Sequence, residues 1–164
     1  MSLDRAREYF RRWNVADRMM EFQTSSATVE LAAIAVGCEP ARIAKTLSFR
    51  VEGRCILVVT AGDARIDNKK FKSRFNVKAR MLAPEETEPL IGHEIGGVCP
   101  FGVNPGVETY LDQSLRRFTS VFPACGSANS AIELTPAELE LFSAAVEWVD
   151  ICKDWQQPEA AATA

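Results

Sequence analysis

Two adjacent stretches, residues 46–51 and 55–61, constrain the fold more than any others in the chain. In the first, Thr46, Ser48 and Arg50 alternate with Leu47, Phe49 and Val51, the period of a strand with one polar and one apolar face. The second, Cys55-Ile56-Leu57-Val58-Val59-Thr60-Ala61, is β-branched and apolar without alternation, as a strand covered on both faces is. Glu52-Gly53-Arg54 joins them as a three-residue loop with glycine where positive φ is needed, so the pair forms a β-hairpin that Gly62-Asp63 ends.

Helices and further short strands surround the hairpin. Residues 2–20 carry Leu3, Ala6, Phe10, Trp13 and Val15 between arginines, an amphipathic helix capped by Ser2. Residues 22–24 form a short strand, residues 28–36 a helix ended by Gly37, and Pro40 opens a brief helix through Ala44. Asp67 caps a helix from Asn68 to Phe75, and residues 78–82 form a strand. Pro84, Glu85 and Glu86 begin a helix that stops near Gly92. Residues 108–111 form a strand followed by Asp112 as a cap. Residues 121–124 and 131–134 form two more strands, joined by the polar turn 126–130. Thr135-Pro136-Ala137-Glu138 is a capping box that opens a helix to about Val146. The expectation is one α/β domain over residues 1–155, with a mixed, largely antiparallel sheet or partly closed barrel flanked by helices. Residues 156–164 are expected to be a disordered tail.

Residues 92–103 fit neither element type. Four glycines and Pro100 within twelve residues cannot be a helix or a central strand, yet Ile95, Val98, Cys99, Phe101 and Val103 make the stretch apolar. Such a loop lets backbone N–H groups approach something closely, either another piece of backbone or a ligand.

No apolar run approaches the roughly 18 residues of a membrane span, and the N-terminus lacks the apolar centre of a signal peptide, so a cytoplasmic protein is expected. The five cysteines are scattered without a C-x-x-C pair and His93 is the only histidine, which excludes a zinc site by spacing and favours free thiols. The net charge is −3, but residues 65–80 hold seven basic residues against one acid, Asp67. That basic region is either a solvated helix face or a nucleic-acid contact. Walker, G-x-G-x-x-G and G-x-S-x-G patterns are absent, so chemistry, if present, relies on positioning, backbone donors and a lysine.

Three separated pieces resemble the YbaK/prolyl-tRNA editing-domain family of aminoacyl-tRNA deacylases. They are Ile43-Ala44-Lys45-Thr46-Leu47, Gly96-Gly97-Val98-Cys99-Pro100-Phe101-Gly102 and Ile132-Glu133-Leu134-Thr135-Pro136. Weaker echoes at Ser26-Ala27-Thr28, Gly62-Asp63, Ala83-Pro84-Glu85-Glu86 and Tyr110-Leu111-Asp112 extend the resemblance over residues 25–140. It implies a trans-acting domain that hydrolyses the ester of mischarged tRNA, with no metal and no cofactor. The partners it implies are the acceptor end of aminoacyl-tRNA and, as a second partner, an aminoacyl-tRNA synthetase.

The resemblance assigns Lys45 as a fixed cation for the terminal phosphate or the aminoacyl carbonyl, and ester chemistry makes the N–H groups of Gly96, Gly97, Val98, Cys99, Phe101 and Gly102 candidate oxyanion donors; Pro100 has none. Thr46, Pro100, Phe101, Asp112, Gly126 and Ser127 are candidate substrate contacts, and Lys69, Lys70 and Lys72 candidate tRNA contacts. Asp112 serves equally as a helix cap, His93 is an ordinary loop histidine rather than a base, and Cys99 lacks a neighbouring signal for a nucleophile. Family members often carry a histidine, lysine or aspartate before the closing strand; residues 124–130 offer only small polar groups, which leaves the amino acid unspecified. The rival readings are a non-catalytic module that binds aminoacyl-tRNA or a synthetase, and a small-molecule ester or thioester hydrolase.

Overall fold

The computed structural model describes residues 2–155. The expected tail at 156–164 lies outside them. The chain order begins with helix α1 (Ser2–Arg11), strand β1 (Met19–Glu21) and helix α2 (Val29–Val36). The hairpin β2 (Ile43–Val51) and β3 (Arg54–Ala61) follows, then β4 (Arg65–Ile66), α3 (Asn68–Phe75) and α4 (Pro84–Ile91). The chain continues through β5 (Glu108–Asp112), β6 (Phe122–Pro123), β7 (Ser130–Ile132), α5 (Pro136–Ser143), β8 (Glu147–Val149) and β9 (Cys152–Lys153).

The hairpin is the spine of a five-stranded sheet ordered β6-β2-β3-β5-β8, which curls into a half-barrel. β2 and β3 pair antiparallel from Ala44↔Ala61 to Val51↔Arg54, whereas β6, β5 and β8 join in parallel. The mixed sheet and flanking helices agree with the sequence expectation. The connection differs: Glu52 (φ 51) and Gly53 (φ 81) form a two-residue turn and Arg54 belongs to β3. Two left-handed residues match the twist of the flanking strands, which a three-residue loop does less directly. β3 is covered on both faces as expected, Ile56 through Val59 being fully buried.

Caps explain where the helices stop. Thr28 accepts from the Leu31 N–H and Gly37 (φ 87) closes α2; Asp67 accepts from the Lys69 and Lys70 N–H groups at the start of α3. Thr135 and Glu138 form the expected capping box of α5. α1 ends at Arg11 rather than Met20, because the chain turns through a left-handed Asn14 (φ 58). The first strand is therefore Met19–Glu21 instead of 22–24, and it pairs with Ser130–Ile132. Pro40–Arg42 is a single 3-10 turn, and Ile43 and Ala44 already belong to β2. α5 ends at Ser143, leaving Glu147–Val149 to form an edge strand that the sequence pattern did not reveal.

Aromatic side chains fix the helices to the sheet. Phe49, Phe71, Phe75 and Tyr110 form a ladder with centroid spacings of 4.8, 4.8 and 5.1 Å that seats α3. Phe10 of α1 packs against Phe101 at 4.6 Å and Phe142 at 6.2 Å, so the glycine-rich segment, α1 and α5 share one core.

Candidate active site

One edge of β2 is fully paired with β3, but the other is covered only at its ends. β6 pairs with Ile43 and Ala44, and residues 80–82 take the far end through Arg50 N–H to Arg80 O (2.9 Å) and Leu82 N–H to Ser48 O (3.1 Å). Residues 45–47 lie in the gap. Backbone groups of alternate residues point to the same edge, so the Thr46 N–H and C=O face this gap, as those of Ser48 and Arg50 face the neighbouring segment.

A cavity of about 410 Å³ opens at the gap. Its walls come from Ala27, Val29 and Ala32 around the start of α2, Lys45, Thr46 and Leu47 of β2, and Met81, Leu82 and Thr87 beside α4. Ile95, Gly96 and Val98 close one side, and Phe122, Ala124 and Ser130 the other. Lys45 is the only charged residue among those lining it. The Thr46 hydroxyl is buried without a hydrogen-bond partner among the described residues, an unmet polar group facing an apolar cavity.

Lys45 also lines a second, polar hollow with Asp63, Arg65 and Lys153. Among the described residues Lys45 makes no ion pair. Burial, and to a smaller degree the Arg65 charge, hold its ammonium below the usual lysine range, against the opposing pull of Asp63 and Glu30. A half-buried cation without a carboxylate is available to a developing negative charge.

The glycine-rich segment divides at Val98. Gly96 (φ 90) and Val98 line the cavity, and among the described residues their N–H groups donate to no protein acceptor. The Gly97 N–H donates instead to Glu94 O at 3.0 Å. A Cβ on Gly97 would stand 2.3 Å from the backbone of Gly126 and Ser127, so this glycine exists for close backbone packing.

Beyond it the chain dives inward. Cys99 and Phe101 are fully buried, and burial pushes the Cys99 thiol up to about 12, which keeps it protonated. Pro100 and Gly102 lie on a different surface, beside Arg5 and Tyr9. These residues are not brought to the cavity, contrary to the sequence expectation for Cys99, Pro100, Phe101 and Gly102.

Asp112 is likewise elsewhere. It is buried, and its two oxygens accept from the Ser114 and Ile151 N–H groups, both at 2.9 Å, so it ties the β5 end to the segment before β9. Gly126 (φ 96) packs on Ser2, whose hydroxyl donates to the Gly126 carbonyl, and Ser127 bonds Asn129; the cavity wall there is Ala124, Ser130 and Ala131. His93 is buried, not an open loop residue: its Nε2–H donates to Phe101 O at 2.6 Å, and burial lowers its basicity. Lys70 is committed to Asp150 and Cys152 O, while Lys69 and Lys72 line a shallow hollow on α3 with Lys78.

Sequence reasoning missed the mouth of the cavity, where Met81 and Ile95 are 56% and 60% exposed. Only the Ser26-Ala27-Thr28 and Ala83-Pro84 echoes pointed there. Among the described residues no group of three or more metal-ligating side chains is gathered, and no helix is long and apolar enough to cross a membrane.

The model of the aminoacyl-tRNA editing domain matches residues 24–142. An uncharacterized protein of Bacillus subtilis (strain 168), YwhH, is 59% identical over 157 residues, which is 95% of this chain and 100% of that protein. The proline–tRNA ligase of Geobacillus sp. (strain WCH70) is 31% identical over 101 residues, 61% of this chain but 18% of the ligase. The chain thus spans less than a fifth of that ligase. Among solved structures, a proposed trans-editing enzyme for prolyl tRNA synthetase superposes with a TM-score of 0.84 at 31% identity, covering 93% of this chain and 97% of that one.

Proposed function

The chain belongs to the aminoacyl-tRNA editing domain family, and from that membership we propose that it is a trans-acting deacylase that hydrolyses the ester of mischarged tRNA. The domain doing so is residues 1–155, working in the cytoplasm where tRNA is charged. The observation that carries this reading is the unpaired Lys45 ammonium beside a cavity whose other lining residues are uncharged.

The amino-acid side chain occupies the apolar cavity, between Ala27, Leu47 and Phe122. With no carboxylate there to meet a basic side chain, the cavity suits small neutral amino acids. The ester carbonyl sits at the β2 gap. As water adds to the carbonyl carbon, negative charge collects on the oxygen and is met by Lys45 and the free N–H groups of Gly96 and Val98. The carbon–oxygen bond to the terminal ribose then breaks; the ribose oxygen takes one proton of the attacking water, the other passes to solvent, and the amino acid departs with a free carboxylate. Lys69 and Lys72, exposed on α3, contact tRNA phosphates outside the pocket.

Because its folded environment disfavours the charged form, Lys45 loses its proton below the ordinary lysine value of 10.5. Catalysis above the spontaneous rate therefore declines as pH rises through that lowered value, since the cation and not the amine is the working form. A panel of mischarged tRNAs tests the function directly. Accelerated release of at least one amino acid supports it, and spontaneous rates throughout would defeat it. The second reading, a binding module without catalysis, draws on one fact: no histidine, carboxylate or cysteine lines the cavity. Binding without release across the panel is its signature.

A further inference from the structure

The hollow on the other side of Lys45 has no part in amino-acid binding. Arg65 and Lys153 face each other directly across the β4–β9 ribbon. Like charges directly opposite on two strands oppose the pairing, and the ribbon is held instead by its neighbours in register, Ile66 and Cys152, which pack in the core. Both side chains are exposed, line the hollow with Lys45, and among the described residues pair with no carboxylate. The two acids present do not balance them. Asp63 is held by Arg117 through both oxygens at 2.5 and 3.0 Å, leaving Glu30 against three cations.

We propose that this hollow is a phosphate site, which takes the phosphodiester joining the last two nucleotides of the substrate while its amino acid fills the cavity. The proposal rests on the reading of the cavity as an aminoacyl-ester site. Lys45 stands at the boundary of both spaces, so a chain carrying an acyl group one ribose away from a phosphate spans them. Arg65 and Lys153 supply charge-assisted donors to the phosphate oxygens, and binding relieves their mutual repulsion. This moves the main phosphate contact from the α3 lysines to a ribbon formed by residues 88 positions apart in sequence, Arg65 and Lys153.

The test uses two non-hydrolysable probes: alanine amide-linked to adenosine, and the same group on the cytidine-phosphate-adenosine dinucleotide. Titration calorimetry on the full chain gives the ratio of their affinities. In the wild type the dinucleotide binds roughly tenfold tighter, and in Arg65→Ala/Lys153→Ala the ratio falls towards one. Arg65→Lys, which keeps the charge, retains most of the gain. Equal affinities in the wild type, or a ratio unchanged in the double variant, overturn the hollow while leaving the cavity reading intact. Failure of both probes to bind overturns the two together.

Discussion

Residues 95–98 and 99–102 are consecutive pieces of one glycine-containing, apolar loop, yet their surroundings are opposite. Ile95, Gly96 and Val98 face the cavity, whereas Cys99 and Phe101 are fully buried and Gly102 packs on Arg5. Buried His93 joins the second piece by donating to Phe101 O. The inward half anchors the loop in the core shared with α1, and the outward half is thereby held with two N–H groups unspent. Composition alone assigns both halves one role; position relative to the core separates them.

The largest effect should come from the anchoring half. Phe101→Ala empties a fully buried position beside Phe10 and should cost about 3–5 kcal/mol in urea unfolding. A loss below about 1 kcal/mol would show that the core does not depend on this half. At the junction, Gly97→Ala drives a methyl into the backbone of residues 126–127 and should cost about 1–3 kcal/mol. Its deacylation rate should also fall, because the displaced loop carries Gly96 and Val98 with it.

His93 sharpens the comparison through pH. Its folded pKa is depressed by burial, so between the folded and unfolded values the unfolded chain binds the extra proton. Stability should therefore be complete above about pH 6.5 and decline as pH drops below it. Melting temperature followed against pH, with His93→Gln as the reference, checks this; identical slopes would contradict it. The smallest expected effect is at Cys99. Cys99→Ala should leave the deacylation rate unchanged, because the thiol is buried and protonated. A large rate loss without a stability loss would restore it as a participant.

Much of the frame was legible because it depends on local chemistry. Alternation in residues 46–51 marked the hairpin, and Thr28, Asp67 and Thr135 marked helix starts that the structure caps through those side chains. The parallel pairing was not: residues 108–111 and 121–124 read as strands, but their partners are distant in sequence, and the three-residue β8 showed no pattern at all. At the site, Lys45, Gly96 and Val98 were visible as part of a motif. Lys153 was not, because only the β4–β9 register brings it to Arg65. Asp112 carried two sequence meanings, cap and contact; its bonds to Ser114 and Ile151 leave it the structural one.

Lys45 decides the account. Single-turnover deacylation of the tRNA most rapidly cleared in the panel should slow by about 10²–10³-fold in Lys45→Ala, with the fold retained. Undiminished hydrolysis in that variant would contradict the assignment of the cavity beside Lys45 as the catalytic site.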